Sequence, residues 1–200
     1  MPVPMTEKPA PYEPLPNRIR WTRRQCATLR DAGFLTGRYE LIDGEILSKM
    51  GQKPAHAYVI QALLAWLTGL FGADYTRIQA TIDLSDTNPD YDEPEPDAAV
   101  TAQPYTFFTD RHPRPEDLQL LIEASDTTLR FDLNAKANLY ASAAIREYWV
   151  IDITGRRLIV HRQPSPEGYR EIMVYNADES AAPLARPDRF VRVADLLPVV

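Results

Sequence analysis

The chain has 200 residues, 44% of them hydrophobic and 25% charged, which suits one buried core and excludes a wholly disordered or fibrous chain. A net charge of −6 weighs against a broadly basic nucleic-acid coat but leaves 22 Lys and Arg for a local basic groove. One cysteine, Cys26, rules out an intrachain disulfide and fits a reducing, cytoplasmic setting.

Six of the 18 prolines fall within the first 16 residues, so residues 1–17 read as an extended, proline-rich tail. Residues 18–200 read as a single domain. Thr22 can cap a helix over Arg23 to Ala32, with Gly33 as its stop. In the segment from Tyr39 to Leu47, Asp43-Gly44 sits between two apolar runs, the signal of a β-hairpin. A long apolar helix follows from about Pro54 to Phe71. The apolar stretch from Ala57 to Ala73 is 17 residues long, short of the roughly 20 that span a bilayer, and reads as a core helix with no membrane partner. No secretory leader is expected.

From Tyr75 to Leu84 the pattern switches to period two, a strand signature. Residues 86–96 are acidic, broken by Pro89, Pro94 and Pro96, and read as a solvated loop. Asp97 to Thr101 is a short strand and Leu118 to Ala124 a buried one. Asp132 can cap a helix to about Ala144. Glu147–Ile151, Arg157–Arg162, Tyr169–Tyr175 and Phe190–Val193 are further strand candidates. The middle of the chain therefore runs αβββαβ. Three successive strands favour antiparallel pairing, and the crossover helix permits a parallel fourth.

Four charged residues interrupt this pattern. Glu45 opens the second arm of the hairpin, Asp97 follows Pro96, Glu123 is embedded in Leu-Leu-Ile-Glu-Ala, and Lys136 lies early on the last helix. A carboxylate taken out of water costs several kcal/mol unless it is paired, so a buried Glu123 demands a metal, a lysine or a raised pKa. The plain alternative is a strand end facing water. If strands 97–101 and 118–124 pair antiparallel, Asp97 meets Glu123, and two such carboxylates with open positions suit Mg²⁺ or Mn²⁺. Taken alone, Asp97 also suits a turn beside proline. Lysine is rare here, with only Lys8, Lys49, Lys53 and Lys136 against 18 arginines. Lys136 can orient or deprotonate a water, or hold phosphate charge; otherwise it is a helix lysine paired with Asp132.

Pro96-Asp97, Glu123 in an apolar strand and Lys136 on the next helix resemble the PD-(D/E)XK nuclease superfamily. The usual Glu-x-Lys is absent, since Ser125 stands where the lysine belongs, and Lys136 fits the variant with the lysine on the helix. The closer resemblance is to the Uma-type restriction endonuclease family. Its opening hairpin is similar to Tyr39-Glu40-Leu41-Ile42-Asp43-Gly44-Glu45. Its central block is similar to Glu123-Ala124-Ser125 with Arg130, Asp132, Lys136 and Leu139-Tyr140-Ala141. Its next strand is similar to Glu147-Tyr148-Trp149-Val150-Ile151-Asp152. One departure is Ala144-Ile145-Arg146, where family members usually have Gly-Val-Pro.

The resemblance implies an α/β, restriction-endonuclease-like αβββαβ core with a mixed sheet, an N-terminal hairpin and additional C-terminal strands. It implies a Mg²⁺- or Mn²⁺-dependent endodeoxyribonuclease acting on DNA phosphodiester bonds. Asp97 and Glu123 would bind the metal, Lys136 would position or activate water, and Glu45 would complete the acidic site. A homodimer could supply the basic groove that the acidic chain lacks. Two other readings stand beside it: a catalytically inactive nuclease-fold module that binds nucleic acid or protein, and a hydrolase such as a glycosidase using Asp97 and Glu123 as acid and base. His56 taken alone reads as a packing or surface residue, while the resemblance implies an equivalent near the site; Arg23-Arg24 reads as a solvated face.

Overall fold

The computed structural model describes residues 1–6, 17–49, 51, 53–84 and 90–199. Val3–Pro4 form a short strand, β1. Thr22 then caps α1, Arg23–Asp31, through a reciprocal box: Thr22 Oγ1 accepts from Gln25 N, and Gln25 Oε1 accepts from Thr22 N. The hairpin is β2, Tyr39–Ile42, and β3, Glu45–Ser48. Its turn needs positive φ at both central residues, met by Asp43 at 48° and Gly44 at 78°. A Cβ at Gly44 would stand 2.7 Å from that of Arg20, so glycine is required twice over.

The long helix, α2, spans Pro54–Phe71, with proline in the first turn. It is long and apolar enough to cross a membrane by composition alone. Here its buried Val59, Ile60, Leu63 and Leu67 pack on one face of a sheet. That sheet continues with β4, Thr76–Ile78; β5, Ala98–Thr101; and β6, Leu118–Ser125. Leu129–Phe131 form α3, which runs through a π turn at Asp132–Lys136 into α4, Ala137–Ser142. The last elements are β7, Glu147–Asp152; β8, Arg157–Ser165; β9, Gly168–Asn176; β10, Ser180–Ala181; and β11, Val191–Arg192.

Among the described residues seven strands form one sheet in the order β1-β9-β8-β7-β6-β5-β4. Every pair is antiparallel except β6 and β7, joined by the α3–α4 crossover. The expected αβββαβ core and mixed sheet are therefore present as α2-β4-β5-β6-α3/α4-β7. One core lies between the sheet and α2, around Leu120, Ile122 and Trp149. The other lies beneath α4, around Leu121, Tyr148 and Ile159.

Four expectations change. The period-two segment stops being a strand at Ile78, because Gln79 takes φ of 50° and sends its N–H to the Asp97 carbonyl. Ile82 and Leu84 remain fully buried, which explains the alternation. Asp132 does not cap the helix. Thr128 precedes it, and Asp132 lies inside, accepting from the Ser125 and Thr128 hydroxyls at 2.6 Å each. The acidic loop is not simply solvated. Residues 85–89 lie outside the described residues, but Glu93 pairs with Leu41 and Asp92 is 2% exposed, accepting the Asp43 N–H. Finally, Val3–Pro4 of the proline-rich tail add to the sheet edge beside Val174 and Met173, and β11 pairs with β10 away from the main sheet. Residues 7–16 of that tail lie outside the described residues.

Candidate active site

The strand register brings the first two site residues together. Ala98 pairs with Ile122, so one step further Asp97 stands opposite Glu123. Asp97 Oδ2 accepts the Ala124 N–H at 2.9 Å. Glu123 alternates with Ile122 and so shares the face of Leu121, toward α4. The two carboxyl groups are 5% and 2% exposed, which removes the reading of Glu123 as a solvated strand end.

Lys136 reaches the same point from the helix. The π turn widens the helix there, with Ala137 N–H bonding back to Asp132 O, a carbonyl that also accepts from Tyr148 Oη at 3.1 Å. Lys136 is 1% exposed. Its Nζ lies 2.8 Å from Glu123 Oε1 and 2.9 Å from Glu40 Oε2, with Asp132 Oδ1 at 3.9 Å. Tyr140 Oη donates to Glu123 Oε1 at 3.2 Å.

Glu45 is not part of this cluster. It pairs with Arg18 at 2.5 Å, beside the hairpin turn. The acid that the hairpin contributes is Glu40, opposite Leu47 and two residue pairs further from the turn. Lys49 bridges the same region, 3.6 Å from Glu40 Oε1 and donating to the Glu95 carbonyl at 2.9 Å. His56, in the first turn of α2, also joins: its Nε2 lies 3.2 Å from Asp97 Oδ2. Glu40 carried a sequence signal, an acid inside an apolar strand much like Glu123. His56 carried only its place at a helix start and the family resemblance, which puts its equivalent near the site.

These side chains line a cleft of about 570 Å³. Three of the chain's four lysines, Lys49, Lys53 and Lys136, face it. Charge inside the cluster is unbalanced, with Glu40, Asp97, Glu123 and Asp132 against Lys49 and Lys136. Burial pushes Asp97 up, but His56, Lys49 and the Ala124 N–H outweigh it and hold the carboxyl down at about 2. Burial pushes Glu123 up to about 8; Lys136 and Lys49 oppose this, while Asp97 and Asp132 reinforce it. Burial acts to lower Lys136, but Glu123 and Glu40 raise it well above the ordinary lysine range. Lys136 therefore stays protonated, while burial works against ionisation of Glu123. Lys136 is held as an ammonium between Glu123 and Glu40.

The donor set fits a hard divalent cation. Asp97 and Glu123 each engage the described residues through one oxygen, Oδ2 and Oε1, leaving Oδ1 and Oε2 for a ligand. Among the described residues no three His, Cys, Asp or Glu side chains converge as ligands. Two carboxylates with water completing the shell is how Mg²⁺ is usually held.

Comparison with known proteins agrees with this architecture. A crystal structure from Anabaena variabilis ATCC 29413, described as a "putative nuclease belonging to DUF820", superposes with a TM-score of 0.62 at 15% identity, covering 84% of this chain and 96% of that one. At that identity the likeness is one of fold. No curated protein matches the chain. Residues 35–194 match the Uma2 family, described as "Putative restriction endonuclease". That span takes in the hairpin, α2, the sheet from β4 to β9 and every residue of the cleft, and the chain belongs to the Uma2 family.

Proposed function

We propose that the protein is a divalent-metal-dependent endonuclease that hydrolyses DNA phosphodiester bonds in the Lys136 cleft. The observation that carries this reading is the convergence of Asp97, Glu123 and Lys136 from three elements at the base of one cleft. Asp97 and Glu123 would hold Mg²⁺ or Mn²⁺. When bound, the metal supplies a polarised phosphoryl oxygen and a water of lowered pKa.

The chain's own residues do the rest. His56 and the Ala124 N–H fix the Asp97 carboxylate in one orientation. Lys136, held by Glu40 and Glu123, presents a localised positive charge where a phosphate gains negative charge, and positions water as a hydrogen-bond donor. Lys49 and Lys53 line the same cleft and suit a polyanionic substrate.

The test is calorimetric titration of Mn²⁺ into the wild type and Glu123→Gln. Saturable binding to the wild type that disappears in the variant supports the site and calls for a DNA-cleavage screen. Equal behaviour of the two proteins removes the metal site and favours a non-catalytic nuclease-fold module.

A further inference from the structure

Arg77 lies on β4, at the open edge of the main sheet. It is partly buried, and its Nε is wholly buried without a hydrogen-bond partner. Among the described residues it has neither a carboxylate partner nor a side-chain hydrogen bond. Burial alone shifts its guanidinium, downward, with no acid to offset it. The chain has 28 acidic residues to draw on, and other arginines are paired: Arg23 with Asp83, Arg111 with Asp117. A desolvated, unpaired charge lowers stability, and an apolar side chain of the same length would serve packing better.

The surroundings indicate what would pair with it. The Arg77 guanidinium lies 5.8 Å from the Phe108 ring, and that of Arg111 lies 5.2 Å from the same ring. In the adjoining turn Tyr105 and Phe107 are 55% and 52% exposed. A half-buried guanidinium without an acid, against Phe108, which in turn packs on the exposed Phe107, is the chemistry of a nucleic-acid strand, with phosphate on the arginine and bases against the exposed rings. The location is also apt. Arg77 pairs with Ala99, between Asp97 at one end of β5 and the Tyr105–Phe107 turn beyond the other, and Gln79, two residues along from Arg77, lines the cleft.

We propose that Arg77, with Tyr105 and Phe107, forms a second nucleic-acid contact that holds a substrate strand beside the cleft. This rests on the nuclease reading and adds to it a binding site outside the metal-binding residues.

The test is fluorescence anisotropy of a labelled single-stranded oligonucleotide in EDTA, over a NaCl series, with wild type, Arg77→Met and Phe107→Ala. Thermal melting of each protein runs alongside. The expected result is roughly tenfold weaker binding by Arg77→Met, with the salt slope reduced by about 0.7, and a melting temperature equal to or above wild type. Phe107→Ala is expected to weaken binding without changing the slope. Unchanged affinity and slope in Arg77→Met overturns the proposal, as does a fall in melting temperature that accompanies the loss, or a wild type that binds no oligonucleotide. Mn²⁺ titration of the same preparations separates the two ideas. Retained Mn²⁺ binding with an inert Arg77→Met substitution defeats only the Arg77 contact. Absent Mn²⁺ binding in the wild type defeats the nuclease reading.

Discussion

Lys136 Nζ lies 2.9 Å from Glu40 Oε2, so the buried lysine is tied to the N-terminal hairpin as well as to Glu123 on the central sheet. This ion pair couples two parts of the chain that are almost a hundred residues apart. It also decides the lysine's chemistry, because two flanking carboxylates keep the ammonium protonated.

Removing that ammonium leaves buried acids without compensation. Lys136→Met is expected to lower stability at pH 8 by about 3 kcal/mol, within the range for breaking a buried pair. The loss should shrink at pH 5, where the acids take up protons instead. Urea unfolding at the two pH values measures both effects.

Glu123 makes stability depend on pH in a defined direction. Its folded pKa is raised from 4.5 to about 8, so between these values the native state binds more protons than the unfolded one. Its contribution to stability therefore falls as pH rises from about 4.5 to 8. Asp97 acts in the other direction: held at about 2, it contributes stability above 3.8 that is lost as pH falls toward 2. Glu123→Gln is expected to flatten the upper window and leave the lower one. The same proton must leave before a cation binds, so Mn²⁺ affinity should rise with pH up to about 8 and then level off.

His56 orients a proposed ligand from behind. Replacing it with alanine frees the Asp97 carboxylate and is expected to weaken Mn²⁺ binding by about 10- to 100-fold. Calorimetric titration of His56→Ala beside the wild type checks this.

Ala144 ends the helix with φ of 58°, a left-handed conformation that costs a side-chain-bearing residue about 1 kcal/mol. This is the position where family members usually have glycine. Ala144→Gly is expected to stabilise the protein by about 0.5–1 kcal/mol and raise its melting temperature by about 2–4 °C.

The features legible in the sequence were those written into neighbouring residues. Asp43-Gly44 specifies a tight turn by its backbone preferences, and Pro54 to Phe71 specifies a helix by its continuous apolar run. Glu123 announces itself because a carboxylate inside Leu-Leu-Ile-Glu-Ala has no cheap burial. Its encounter with Asp97 followed from antiparallel pairing of two short strands. The extent of β4 was not legible, since Ile82 and Leu84 alternate like a strand yet are buried by a loop whose N–H groups bond elsewhere: Ile82 to Pro94 and Asp83 to Pro113.

The sequence by itself thus determined the αβββαβ order, the hairpin and the acid that must be paired. Tertiary structure decided which hairpin acid meets Lys136, that His56 backs Asp97, and that Arg77 is left without a counter-charge among the described residues. Residue periodicity sets which face of an element a side chain occupies. The distance between two charges depends on how separate elements dock, and docking is settled by packing across the whole core.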